Sequence, residues 1–119
     1  CSSDPEMFIK EVDSPQLVSK MEENDDLVII DVREMHEINR GTIQGAIPMP
    51  MATIPVRLDE IPKDKEVVFI CRSGARSGQV CMFLGQHGYE NVINLSGGII
   101  GWVRSGYQPV LPDQVSSTY

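Results

Sequence analysis

Apolar runs alternate with segments of helical spacing along most of the chain. Strands are predicted at Phe8–Val12, Leu27–Ile30, near Ala46, Glu66–Ile70 and Asn91–Leu95. The run Leu27–Ile30 is continuously apolar, which is typical of a strand buried on both faces. Because helical segments separate the strands, we expect an α/β fold in which helices cover both faces of a parallel sheet.

Local signals bound the predicted helices. Asp13-Ser14-Pro15 predicts a helix start, with an acceptor side chain at the cap and proline in the first turn, and the helix is expected to end near Glu23. Further helices are predicted at Met35–Arg40, weakly at Ala52–Ile61, at Gln79–His87 and at Ile99–Ser105. Glycine follows three of these segments, where it commonly ends a helix.

The stretch Cys71–Gly78 separates the strand Glu66–Ile70 from the helix Gln79–His87. It holds one cysteine followed by two arginines, two serines, two glycines and an alanine. In open α/β sheets, ligands bind outside the carboxyl ends of the strands. Cys71 is therefore predicted to lie in an active site.

Three features of this stretch favour the thiolate form of Cys71. A short loop rich in Gly and Ser can direct backbone N–H groups to one point, and the following helix adds the positive end of its dipole. Arg72 and Arg76 add two positive charges. The thiolate is the nucleophilic form of cysteine. The alternative is an inert buried cysteine, which gives no reason for two nearby arginines.

Composition and charge narrow the class of protein. The 119 residues are most simply one domain, with 41% hydrophobic and 23% charged residues. A net charge of −7 argues against a nucleic-acid partner. No acidic residue occurs between Val67 and Tyr89, so the Cys71 loop is basic on an acidic chain and suits a small anionic substrate. A buried strand and helix would also lack acids, but this does not explain the arginines.

The cysteines and the apolar runs indicate in which cellular compartment the protein is expected. Cys1, Cys71 and Cys81 neither form an even disulfide framework nor show metal-ligand spacing, so we predict a reducing, cytoplasmic location with no metal and no cofactor. No apolar run approaches the length of a membrane span, and no signal peptide is visible. The alternative is a lipid-anchored or periplasmic protein in which Cys1 is a processed terminus.

Three motifs, in order, resemble those of the rhodanese family of sulfurtransferases. They are Asp31-Val32-Arg33-Glu34 with Glu37 and Gly41-Thr42-Ile43, then Cys71–Arg76, then Gly97–Trp102. The family usually has Gly-His-Ile where this chain has Gly41-Thr42-Ile43. The resemblance implies a five-stranded parallel sheet in a rhodanese-like domain at 8–107, with an N-terminal extension at 1–7 and a C-terminal tail at 108–119.

The resemblance also implies an enzyme, a thiosulfate sulfurtransferase. Cys71 would take a sulfane sulfur from a donor such as thiosulfate, and the resulting persulfide would pass it to cyanide or a thiol. A sulfur-accepting protein is a further candidate partner. The substrate-binding residues would be those of the loop: Arg72, Ser73, Gly74, Ala75, Arg76 and Ser77. Their N–H groups would hold the terminal sulfur, and either arginine suits the anionic part of the donor.

Asp31 and Arg33 follow a strand at the same sheet edge as Cys71, and we assign them a supporting role. Two interpretations stay open: the residues pair and brace the loop, or they form a simple ion pair at the rim. Thr42, which replaces a histidine common in the family, is interpreted as structural.

Three further features are interpreted as structural. Cys81 shares an apolar helix face with Ser77, Val80 and Leu84, which favours core packing over a resolving thiol. Trp102 is expected to anchor the last helix in the core. The pair Gly97-Gly98 is interpreted as a tight turn and not as an anion site.

Two other functions compete with sulfur transfer. Phosphatases and arsenate reductases related to this fold resemble His-Cys followed by five residues and Arg, whereas here Ile70 precedes Cys71 and four residues separate it from Arg76. The shorter loop closes a smaller ring of N–H groups, better matched to one sulfur than to a phosphate. A non-catalytic sulfur-carrier or regulatory module is the second alternative, although such modules often lack the cysteine that this chain keeps.

Overall fold

Five parallel strands form one sheet at the centre of the fold. The computed structural model describes residues 10–24 and 26–110. Its strands are β1 (Lys10–Val12), β2 (Val28–Asp31), β3 (Ala46–Pro48), β4 (Val67–Ile70) and β5 (Val92–Leu95). Their order across the sheet is β1-β5-β4-β2-β3, and each neighbouring pair is parallel. The predicted five-stranded parallel sheet is confirmed.

Four α-helices connect or follow the strands within the described residues. They are α1 (Ser14–Glu23), α2 (Met35–Ile38), α3 (Ala75–Gln86) and α4 (Gly98–Arg104). The helix α1 has the predicted bounds, and it begins at Ser14 because the Asp13 carboxylate accepts the Gln16 N–H at 3.0 Å. The weakly helical region 52–61 forms two short 3-10 helices, Met51–Val56 and Leu58–Glu60.

The sheet separates two apolar clusters, and each is covered by helices. On β4, Val67 and Phe69 contribute to the cluster that includes residues of α3 and of both 3-10 helices. Val68 and Ile70 contribute to the other cluster, with residues of α1 and α4. All four strand residues are buried because both faces are covered. Their continuously apolar sequence follows from this arrangement.

The helix α3 begins four residues earlier than the sequence predicts, at Ala75 and not at Gln79. Gly74 adopts the left-handed conformation, with φ of +101°, and so turns the chain into the helix in a single residue. The Gly78 N–H then donates to the Gly74 carbonyl at 3.1 Å. Only residues 72–74 therefore form the loop, while Arg76 and Ser77 lie in the first helical turn.

The described residues do not cover every prediction. Phe8 and Ile9 of the first predicted strand, the predicted extension at 1–7 and residues 111–119 of the predicted tail lie outside them. The domain boundaries at 8 and 107 stay predictions. Val110 pairs with Thr42 through two backbone hydrogen bonds of 2.7 Å. In the part of the chain that the structure describes, no helix has the length and apolarity needed to cross a membrane.

Candidate active site

Cys71 is the first residue after β4, at the edge of the sheet where the parallel strands end. The register places Ile70 beside Asp31 of β2 and Phe69 beside Asn94 of β5. Strand alternation directs Cys71 to the same face as Phe69, the face covered by α3. The residue is buried. The thiol therefore lies between the end of β4 and the start of α3, as the sequence indicates.

Hydrogen-bond donors surround the sulfur of Cys71. The Gly74 N–H donates to Sγ at 3.0 Å, and the Ser77 hydroxyl lies 3.5 Å from Sγ. Burial opposes the charged form of the thiol. The Ser77 hydroxyl and the N–H groups of Ser77, Gly74 and Ser73 stabilise it more strongly, so the pKa of Cys71 lies below its ordinary value. The local geometry favours a reactive thiolate.

The Ser77 hydroxyl belongs to a buried polar network that the sequence analysis missed. It contacts three acceptors: Cys71 Sγ, the Gly74 carbonyl at 3.3 Å and Asn94 Oδ1. The Asn94 amide donates in turn to Glu11 at 2.9 Å and to the Gly74 carbonyl at 3.3 Å. One hydroxyl proton serves three acceptors, so Asn94 affects how strongly Ser77 stabilises the thiolate. The available signal was a single polar residue in the apolar run 92–95.

The start of α4 holds the backbone of the loop. The Ile99 N–H donates to the Cys71 carbonyl at 2.8 Å, and the Ile100 N–H donates to the Arg72 carbonyl at 3.1 Å. A Cβ atom at Gly98 would lie 2.4 Å from the Cys71 carbonyl oxygen, so glycine is required for this approach. The Gly97-Gly98 pair does more than the predicted tight turn: it brings helical N–H groups against the loop carbonyls.

The two arginines of the motif have different surroundings. Arg76 forms a bidentate ion pair with Glu37, with Nη1–Oε1 and Nη2–Oε2 distances of 3.0 and 3.1 Å. The Arg76 hydrogen bond lowers the pKa of Glu37 to about 2. Arg72 is exposed, and its side chain forms no hydrogen bond or ion pair with the described residues. Of the two, Arg72 is therefore free to meet a ligand.

Asp31 and Arg33 pair, but their remaining bonds do not reach the Cys71 loop. Arg33 donates to both carboxylate oxygens of Asp31, at 2.7 to 3.1 Å, and to the Gly41 carbonyl at 2.5 Å. The Thr42 hydroxyl completes the network by donating to Asp31 at 2.7 Å. The pair is buried, unlike an ion pair at a rim. Its contacts brace residues 41 and 42, and this agrees with a structural role for Thr42.

Cys81 lies in the core on α3. Burial raises the pKa of its thiol to about 12, so Cys81 is a thiol at neutral pH. Trp102 is buried in the opposite cluster, as expected for an anchor of α4. No group of three or more His, Cys, Asp or Glu side chains within residues 10–24 and 26–110 is arranged to hold a metal ion.

Comparison with known proteins identifies the family. A profile of the Rhodanese-like domain matches residues 14–105, and the chain belongs to this family. A sulfurtransferase of Allochromatium vinosum is 47% identical over 106 residues, which cover 89% of this chain and 99% of that protein. A putative sulfurtransferase of Bacillus subtilis, YtwF, is 44% identical over 81% of this chain and 92% of its own length.

A solved structure agrees with this assignment. The crystal structure of a rhodanese-related protein from Thermoplasma volcanium superposes with a TM-score of 0.78 at 29% identity, covering 86% of this chain and 98% of that one. The family and the names of the relatives support sulfur transfer as the general class of chemistry.

Proposed function

We propose that the chain is a sulfurtransferase that moves a sulfane sulfur from a donor such as thiosulfate to a thiol or cyanide through a persulfide on Cys71. The observation that carries this proposal is the ring of donors around Sγ, with the Gly74 N–H at 3.0 Å. Such donors stabilise an anionic sulfur both before and after transfer. A cytoplasmic location, where thiol acceptors are abundant, is part of the proposal.

The proposed first half-reaction forms one S–S bond and breaks another. The Cys71 thiolate attacks the outer sulfur of thiosulfate, and sulfite leaves with the electron pair of the broken bond. The enzyme then carries a Cys71 persulfide, and the total charge is unchanged. The hydrogen-bond donors around Sγ lower the pKa of Cys71 and so favour the thiolate form that makes this attack.

The second half-reaction returns the thiolate. Cyanide attacks the terminal sulfur of the persulfide, the S–S bond breaks, and thiocyanate leaves. A thiolate acceptor reacts in the same way and leaves as a new persulfide. The Cys71 thiolate that leaves would again be stabilised by the N–H groups of residues 73, 74 and 77, as in the resting protein.

The two loop arginines have different roles in this proposal. Arg72 is exposed beside Cys71 and meets the sulfonate oxygens of an anionic donor. Arg76 contributes less net charge because Glu37 pairs with it. We therefore propose Arg72, and not Arg76, as the arginine that binds the donor.

A sulfur carrier that loads once and hands its sulfur to a protein partner is the second candidate. The persulfide chemistry on Cys71 would be the same, so turnover distinguishes the two functions. A phosphatase is disfavoured because four residues separate Cys71 from Arg76, one fewer than in the phosphatases related to this fold.

Steady-state kinetics test the proposal. With thiosulfate and cyanide as substrates, we expect catalytic formation of thiocyanate and parallel double-reciprocal lines, since the persulfide forms before cyanide reacts. Cys71→Ser removes the sulfur nucleophile and should abolish turnover, while Cys81→Ser, at the buried thiol, should retain it. Loading of one sulfur without turnover would favour the carrier. Equal activity in Cys71→Ser would overturn the assignment of the nucleophile.

A further inference from the structure

The pair Arg76–Glu37 determines how much positive charge borders the Cys71 loop. Glu37 comes from α2, which follows β2, and reaches across to the first turn of α3, 39 residues along the chain. Both guanidinium–carboxylate bonds are short, at 3.0 and 3.1 Å. Because the carboxylate pKa is about 2, the pair stays charged on both sides at any working pH. The positive charge of Arg76 is therefore offset throughout.

The two other arginines near this edge of the sheet, Arg33 and Arg72, differ in whether a carboxylate pairs with them. Arg33 is paired with Asp31. Arg72 forms no ion pair with any residue in the described ranges. Of the two arginines in the sequence motif, Arg76 is thus paired with a carboxylate, whereas Arg72 is not paired with one in the described ranges.

The charge of a donor should matter at such a site. Thiosulfate is a dianion, whereas the reacting sulfur group of a persulfide or of an alkanethiosulfonate carries at most one negative charge. We infer that Glu37 is a specificity-determining residue, which holds Arg76 in an ion pair and thereby shifts the preference of the site from dianionic to singly charged sulfur donors. This inference rests on the proposed function.

Two donors that differ by one charge allow a direct test. In thiosulfate and in methanethiosulfonate, the Cys71 thiolate attacks the outer sulfur, the S–S bond breaks, and sulfite or methanesulfinate leaves with the electron pair. The same bonds form and break, but the donors differ by one charge and by a methyl group in place of one oxygen. Because this intrinsic difference is the same for every variant, it cancels when the ratios of two variants are compared. The ratio of kcat/KM for the two donors, with cyanide as acceptor, therefore reports the charge preference.

Glu37→Gln is the informative variant. Glutamine keeps an oxygen that can accept the Glu34 N–H, which Glu37 Oε1 accepts at 3.1 Å, so the start of α2 retains its cap. The substitution removes one negative charge and leaves Arg76 positive. We expect the ratio of thiosulfate to methanethiosulfonate kcat/KM to rise roughly 3- to 10-fold, the size expected for one unit charge in partly solvated surroundings. High salt should reduce this change.

The controls are variants that change the local charge in a known direction. Arg76→Gln should lower the same ratio, and the double variant Glu37→Gln/Arg76→Gln should return it to within about 2-fold of wild type, because the local net charge is restored. Glu66→Gln removes the same charge from the ion pair with Lys20, at 3.2 Å. Glu66 precedes β4, so it lies roughly 16 Å from Cys71, five residues along an extended chain. This control should leave the ratio unchanged.

The outcomes separate the inference from the proposed function. An unchanged or lower ratio in Glu37→Gln, or an equal rise in Glu66→Gln, would overturn the role of Glu37. Thermal unfolding checks that each variant folds. If Glu37→Gln does not fold, the opposite shift predicted for Arg76→Gln tests the same claim. Failure of wild-type protein to form thiocyanate from either donor would instead overturn the proposed function.

Discussion

Gly98 offers a sharp test of how the fold holds the Cys71 loop. Gly98→Ala would place a Cβ atom 2.4 Å from the Cys71 carbonyl oxygen and 2.6 Å from that of Arg72. Both are backbone atoms, so neither can rotate away as a side chain would. The φ of Gly98 is +57°, which costs an alanine roughly 1–2 kcal/mol. The forced contact adds about 1–3 kcal/mol.

The expected loss of unfolding free energy in Gly98→Ala is therefore about 2–5 kcal/mol. A loss of this size corresponds to a Tm roughly 8–20 °C lower for a chain of this length. The clash also displaces the Cys71 and Arg72 carbonyls from the Ile99 and Ile100 N–H groups, so the loop N–H groups should move from Sγ. We expect the pKa of Cys71 to rise as a result.

Two measurements check this prediction. Circular dichroism gives Tm, and the pH dependence of Cys71 alkylation by iodoacetamide gives the pKa of the thiol. Gly85→Ala is the matched control, because Gly85 lies in α3 with nothing within 4 Å of its Cβ position. That variant should gain roughly 0.5–1 kcal/mol from helix propensity. If Gly98→Ala matched Gly85→Ala in Tm and kept the Cys71 pKa, the proposed close packing of α4 on the loop would be wrong.

Three further predictions concern titrating groups. Ser77→Ala removes a hydrogen-bond donor to the thiolate, so the alkylation profile should show a higher pKa for Cys71. The substitution also leaves Asn94 Oδ1 without the Ser77 donor, which should lower the unfolding free energy measured in urea by about 1–2 kcal/mol. Iodoacetamide near neutral pH should modify Cys71 well before Cys81, whose pKa is about 12; peptide mapping that finds Cys81 modified first would contradict the assigned burial. The Glu37 pKa is lowered on folding from 4.5 to about 2, so its ion pair contributes stability above pH 4.5 that is lost as the pH falls toward 2. The unfolding free energies of wild type and Glu37→Gln should accordingly converge over that range. A difference that stays constant with pH would show that the ion pair does not contribute pH-dependent stability.

The fold was predictable because its signals are local. The Asp13 cap and Pro15 bound α1 through contacts within one turn, and the apolar run 67–70 indicates a strand that two layers cover. The start of α3 lies four residues before the predicted one, because Arg76 and Ser77 are helical although glycines on both sides favour a loop. Their helical geometry depends on the conformation of Gly74, which packs against the backbone of residues 95 and 97.

The candidate site was predictable only in part. The proposed nucleophile Cys71 and its loop occupy consecutive residues, so the sequence shows them together. The partners that modulate them come from elsewhere: Glu37 lies 39 residues from Arg76, and Asn94 lies 17 residues from Ser77. Such pairings arise from the order of strands in the sheet, which brings β2 and β5 to either side of β4. The local sequence pattern does not indicate which residues distant in the chain will lie close together in the fold.

The proposed function requires that Cys71 carries the transferred sulfur. Intact-protein mass spectrometry after incubation with thiosulfate should show a gain of one sulfur atom, peptide mapping should place it on Cys71, and cyanide should remove it as thiocyanate. Cys71→Ala should show no gain while retaining the thermal unfolding transition of a folded protein. A wild-type protein that stays unmodified under the same conditions, or a sulfur carried by Cys81, would contradict the account.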